Sequence, residues 1–76
     1  MPRQPRISGS DAARALTRAG WQLARQRGSH VLLRHPDRPG RMVTVPVHAG
    51  RILKPKTLAS ILEQAGVTVD DFRRLL

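Results

Sequence analysis

The stretch that most restricts what this chain can become is Pro36-Asp37-Arg38-Pro39-Gly40. Neither a helix nor an inner strand runs through it, because proline lacks a backbone N–H and fixes φ, while glycine favours a tight reversal. On each side lies a run of period-two alternation: Val31 and Leu33 within His30–His35, then Val43, Val45 and Val47 within Arg41–Val47. A reversal between two alternating runs predicts a β-hairpin. Its register follows from placing both apolar stripes on one face, since a slip of a single residue turns a whole strand over. Leu33 then meets Val43, Val31 meets Val45, and the loop centres on Arg38. The same register sets His30 opposite Pro46, with His48 diagonal to His30 on the outer face. Pro46, having no N–H for a ladder, argues for an edge position of its strand, or at least for a site where no N–H is paired.

A third strand is expected upstream, over Trp21–Gln26, joined to His30 by a turn at Gly28. Matching Leu23 to Leu33 puts Gln26 opposite His30. Helices flank the strands. Ser8-Gly9-Ser10-Asp11 reads as a capped start, and Ala12, Ala15, Leu16 and Ala19 recur at helical spacing before Gly20 stops the run. Pro55 opens a second helix with an apolar face of Leu58, Ile61, Leu62 and Ala65, ended by Gly66. Thr68-Val69-Asp70-Asp71 caps a short third helix carrying Val69, Phe72, Leu75 and Leu76. The expected fold class is α+β, in the order α-β-β-β-α with a short C-terminal helix. The helices lie on one face of a three-stranded antiparallel sheet. They should cover Trp21, Leu23, Val31, Leu33, Val43, Val45 and Val47. The open face should carry Gln22, Ala24, Gln26, His30, Leu32, Arg34, Met42, Thr44, Pro46 and His48.

Length and composition bound the rest. A chain of 76 residues reads as a single domain over 1–76, with 1–7 a flexible lead-in, and with a thin core because small domains bury only about 60 % of their unfolded surface. With 0 cysteines there is neither a disulfide framework nor a cysteine-based zinc site, which fits a reducing, cytoplasmic setting. No apolar run approaches the ~20 residues of a membrane span. The charge is the most pronounced compositional property: 14 Lys+Arg against 5 Asp+Glu give +9, and the pI of about 12.0 lies in the range of nucleic-acid binders. Between Trp21 and Lys56 the only acid is Asp37, among Arg25, Arg27, Arg34, Arg38, Arg41, Arg51, Lys54 and Lys56. Lys54 and Lys56 open a helix against its macrodipole, an arrangement that makes sense if an anion occupies that end. Arg25, Arg27, Arg34, Arg51, Lys54 and Lys56 are therefore the expected RNA contacts. A basic solvated face without a partner is the plainer alternative.

Histidine is the side chain whose ordinary pKa lets it exchange a proton near neutral pH. His30 follows a glycine turn in Arg25-Gln26-Arg27-Gly28-Ser29-His30, which makes it the candidate acid–base residue acting on a phosphate. Ser29 and His48 are candidates for catalytic support. No pair of histidines has the spacing of a helical metal site, and the one nearby carboxylate is Asp37, so no metal or other cofactor is expected. His35 reads as a surface residue or a satisfied structural one. Leu32 and Met42, apolar on the open face, are candidate contacts for a protein partner.

These residues resemble the HicA toxins, the ribonuclease partners of HicA–HicB toxin–antitoxin pairs. The resemblance runs through Gly20-Trp21, Arg25-Gln26-Arg27-Gly28-Ser29-His30, Val45-Pro46-Val47-His48, Leu53-Lys54-Pro55-Lys56-Thr57-Leu58 and Ile61-Leu62-Glu63-Gln64-Ala65-Gly66. It implies a double-stranded-RNA-binding-like fold, cleavage of mRNA without a metal, and neutralisation by a HicB-like antitoxin, for which Leu32 and Met42 are the candidate contacts. It also implies that the histidine of the Gly-Ser-His motif, His30, is the essential one. The rival expectations are a non-catalytic RNA-binding module of the same fold and an inactive toxin retained to bind its antitoxin.

Overall fold

The computed structural model describes residues 4–76. The lead-in expected over 1–7 therefore falls, at 1–3, outside the described residues. The element order is α1 (Gly9–Arg18), β1 (Gln22–Arg27), β2 (His30–Arg34), β3 (Met42–Pro46), α2 (Pro55–Ala65) and α3 (Val69–Leu75). The three strands form one antiparallel sheet in the order β1-β2-β3. This is an α+β fold in the expected order. No helix among the described residues is long and apolar enough to cross a membrane.

The helix boundaries follow local chemistry. Ser8 caps α1, its Oγ accepting from the Asp11 N–H at 3.1 Å. Thr68 caps α3 in the same way, accepting from the Asp71 N–H at 3.1 Å. Each cap satisfies a donor that the helix itself leaves without a partner. Pro55 sits in the first turn of α2, where no intrahelical N–H bond is lost, and Gly66 ends that helix in the left-handed conformation.

The second hairpin has the predicted register, pairing His30 with Pro46, Val31 with Val45 and Leu33 with Val43. β3 is an edge strand, the first of the two positions Pro46 allows. The way its outer edge is closed was not foreseen. The Thr44 N–H, pointing away from the sheet, donates to Gln64 Oε1 of α2 at 2.9 Å. Two residues along the strand, at the next outward-facing position, Pro46 has no N–H that would need a partner. Helix α2 and one proline thus leave little of this edge open to another strand.

The first hairpin departs from expectation. Leu23 does pair with Leu33, but the register shifts between Leu23 and Arg25, so that Gln26 lies opposite Val31 and Arg27 opposite His30. The extra residue is Ala24, a β-bulge that alternation cannot reveal because small and polar residues surround it. Its consequence is to move Arg25 and Arg27, rather than Gln26, onto the face shared with Leu32 and His30. Leu23 is also not covered by the helices. It is 61 % exposed, and every residue of β1 is exposed.

The reason is that the helices lie over β3 and β2 rather than over the β1 edge. Val31, Leu33, Val43 and Val45 are buried against Ala12, Ala15 and Leu16 of α1, Leu58, Ile61, Leu62 and Ala65 of α2, and Phe72 of α3. Trp21, just before β1, joins them. No described polar or charged residue is buried, so the positive charge stays at the surface. Ile7 packs against the edge of the core. Its carbonyl accepts from the Leu53 N–H at 2.8 Å, beside a bridge between Ser8 and Ile52. The start of α1 is thereby tied to the segment that leads into α2.

Candidate active site

His30 owes its place to a two-residue turn. Arg27 and His30 are paired, leaving only Gly28 and Ser29 between the strands. Gly28 has φ +54°, and no non-glycine residue among those described has positive φ. A positive φ at the first turn position alone is the pattern of a II′ turn, whose twist matches that of a hairpin. The turn makes His30 the first residue of β2. Its neighbour Val31 faces the core and is 9 % exposed, so the strand pleat turns His30 to the open face, where it is exposed.

On that face His30 has Arg27 on one side and Pro46 on the other. The Val47 N–H donates to the Ser29 carbonyl at 2.6 Å. This bond makes His30 and Pro46 a non-hydrogen-bonded pair, the kind in which Cα atoms approach to about 4.5 Å and side chains lie closest. It also anchors the turn that carries Ser29, which is half-buried, to the end of β3. Arg25, opposite Leu32, lies on the same face as Arg27.

Beyond Pro46 the chain leaves the sheet, so the pleat does not dictate the direction of His48. His48 instead lines a groove of about 270 Å³ together with Pro46, Arg51, Ile52, Leu53, Lys54 and Thr57. A reversal shapes its rim, the Arg51 N–H donating to the His48 carbonyl at 3.1 Å. Lys54 is the N-cap of α2 but makes no side-chain capping bond, and the first turn of that helix contains no acid. The positive end of the helix dipole therefore faces the groove with cations around it. Thr57, Ile52 and Leu53 belong to this groove and were not singled out from the sequence as site residues, while Pro46 was expected opposite His30 but not as a wall of the groove. For Thr57 the available signal was its place in the first turn after Pro55.

The remaining candidates divide between two ends of the sheet. Arg34 pairs with Met42 and Gln22, at the far end of β2. It lines a separate cavity of about 490 Å³ with Arg38, Arg41 and Met42. A strand advances about 3.4 Å per residue, which puts Arg34 roughly 14 Å from His30. The structure does not bring the two together. Leu32, half-buried, and Met42, exposed, share the open face between these ends.

His35 is held structurally. Its Nδ1 accepts from the Asp37 N–H at 3.1 Å, and its Nε2 lies 3.0 Å from the Ala19 carbonyl oxygen. The first contact leaves the proton to Nε2, which then donates to Ala19. The ring also meets Trp21 edge-on, with centroids 5.3 Å apart. Among the described residues no group of three or more His, Cys, Asp or Glu side chains converges as a metal site would require. Arg38 is likewise engaged, donating to the Ala65 carbonyl at 2.8 Å. It supplies the cation that the last turn of α2 lacks.

A family model described as HicA toxin of bacterial toxin-antitoxin matches residues 9–67, from the first residue of α1 to just past the end of α2. No curated protein matches the chain.

Proposed function

The chain belongs to the HicA toxin family of bacterial toxin–antitoxin systems, and from that premise we propose that it is an endoribonuclease cleaving mRNA with His30 as its acid–base residue. Membership makes it a toxin and implies a cognate antitoxin as partner. The observation that carries the ribonuclease reading is the position of His30. Its imidazole stands exposed on the uncovered face of the sheet, opposite Arg27 and beside the Ser29 turn.

RNA carries its own nucleophile. His30 takes the proton of a 2′-hydroxyl, the oxygen attacks the adjacent phosphorus, and the bond to the 5′-oxygen of the next nucleotide breaks as that oxygen takes a proton from solvent water; the imidazolium of His30 then returns its proton to solvent. Proton transfer of this kind contributes about 10²–10⁴-fold. Negative charge grows on the phosphate oxygens as the bond forms, and Arg27, with Arg25 and Ser29, stabilises it there. Lys54, Lys56 and Arg51 hold a neighbouring phosphate at the amino end of α2. The products are a 2′,3′-cyclic phosphate and a 5′-hydroxyl, and no step requires a metal. Leu32 and Met42 lie on the same face, so an antitoxin seated on them would also cover His30.

The test is cleavage of end-labelled RNA in the presence of EDTA, with product ends identified. Wild type should cut and leave the cyclic phosphate, while His30→Ala should lose at least about 100-fold in rate and keep its RNA affinity. Binding without shortening of the RNA by wild type would leave a non-catalytic RNA-binding module. Cutting by His30→Ala at the wild-type rate would remove His30 from the chemistry.

A further inference from the structure

We propose that the groove beside Pro46 is a nucleobase subsite, in which the His48 ring stacks on one unpaired base, so that the substrate is RNA with at least one splayed, single-stranded nucleotide at the cleavage site. The inference rests on the RNA reading above and adds to it the part of the substrate that is recognised.

Proteins that bind single strands stack the bases on planar side chains. This chain has 1 Trp, 1 Phe and 0 Tyr, and the Trp and Phe are core residues, Trp21 being 2 % and Phe72 0 % exposed. The usual stacking surfaces are therefore withdrawn from the substrate. The planar groups left are imidazoles and guanidiniums. Of the imidazoles, the His35 ring is occupied by Trp21, Ala19 and Asp37, and His30 sits on the sheet between Arg27 and Pro46. His48 is exposed and lines the groove.

The groove has the right composition for a base. Pro46, Ile52 and Leu53 give it apolar walls, Ile52 being 50 % exposed and so open to a ligand. His48, Arg51 and Lys54 set cations around those walls. Apolar surface ringed by cations complements a base attached to phosphates, and it does not complement an acidic peptide equally well, which has no flat apolar face to bury. The volume of about 270 Å³ is below the ~300–1,000 Å³ of pockets that enclose whole small molecules, as a single inserted base requires. The turn joining His48 to Arg51 brings their Cα atoms within about 7 Å, and both residues line the groove. Pro46 places the subsite beside the reacting phosphate, because one proline both pairs with His30 and forms a wall of the groove. A base within a duplex is stacked on its neighbours and cannot enter.

Binding separates this inference from catalysis. In the His30→Ala background, the affinity of short unstructured RNAs is measured with each nucleotide in turn made abasic. The expected result is one position at which loss of the base weakens binding about 5- to 150-fold. His48→Ala should weaken intact RNA by a similar factor and add nothing on the RNA abasic at that position, while His48→Phe should restore both the affinity and the dependence on the base. Independent, additive effects of His48→Ala and base removal, or a phenylalanine no better than alanine, would overturn the proposal. His48 is exposed, and circular dichroism checks that each variant is folded. If His48 and one base prove coupled but protein with His30 intact never shortens the RNA, the base subsite stands and the ribonuclease reading fails.

Discussion

At Gly9 there is no room for a side chain, and the obstacle is backbone. A Cβ there would lie 1.9 Å from the Pro46 carbonyl oxygen and 3.3 Å from the Val47 Cα. Neither atom can swing aside as a side chain would, so the first turn of α1 would have to back away from the end of β3. Gly20 is constrained differently, by φ +98° and by the His35 Nε2, which a Cβ would meet at 2.6 Å. Its obstacle is a ring that itself holds the helix end through Ala19. Gly9→Ala should destabilise the protein by about 1–3 kcal/mol, the usual cost of overpacking, as measured by the denaturant midpoint. Because Pro46 is the residue opposite His30, RNA cleavage should fall by more than the loss of folded protein accounts for. Unchanged specific activity of the folded fraction would show that Pro46 need not hold its position.

The strands differ in what supports them. β2 and β3 contribute Leu33, Val43 and Val45 to the core, each at most 1 % exposed. β1 is held by its ladder to β2 and by Trp21 at its root, while its own side chains remain in solvent. Leu23 and Leu33 are partners across that ladder, and alternation alone treats them as equivalent. Their burial predicts opposite outcomes. Leu33→Ala should cost about 2–5 kcal/mol, whereas Leu23→Thr should remain within about 0.5 kcal/mol of wild type. Chemical denaturation of the two variants checks this. A large loss at Leu23 would mean that the β1 side chains pack against something. The bulge at Ala24 and the arginines of β1 also discourage pairing of this free edge with a second copy.

Over the described residues, several cations serve helix ends, Arg34 and Arg41 lie at the far end of the sheet, and others gather near His30 and the groove. Arg38 serves the carboxyl end of α2, Arg14 and Arg74 pair with Asp11 and Asp71, and Arg18 donates to the Leu75 carbonyl. Arg25, Arg27, Arg51, Lys54 and Lys56 are left around His30 and the groove. RNA affinity should accordingly fall with salt with a log–log slope of about −0.7 per neutralised phosphate on a single strand. Lys54→Ala or Lys56→Ala should each reduce the slope by about that amount, while Arg14→Ala, on the exposed side of α1, should leave it unchanged. Titration of binding against potassium chloride measures all three. A slope that changes as much for Arg14 as for Lys54 would remove the α2 end from the RNA path.

Element order, helix caps and the β2–β3 register were set by local chemistry along the chain. Proline and glycine at 36–40 force a reversal, Ser8 and Thr68 cap helices, and a period-two stripe admits one pairing that buries it. The exposed position of His30 opposite Pro46 followed from that register. Tertiary structure alone decided the rest. A bulge at Ala24 exchanged Gln26 for Arg27 beside His30, because an unpaired residue in a strand without a buried stripe leaves no periodic trace. The helices settled over β3 and left Leu23 in solvent, since packing of α2 and α3 against the sheet is a long-range choice. The groove is lined by residues between Pro46 and Thr57, and the part of it that carries Ile52 and Leu53 is held by the bridge to Ser8 and the bond to Ile7, contacts between distant segments that have no signature in either one.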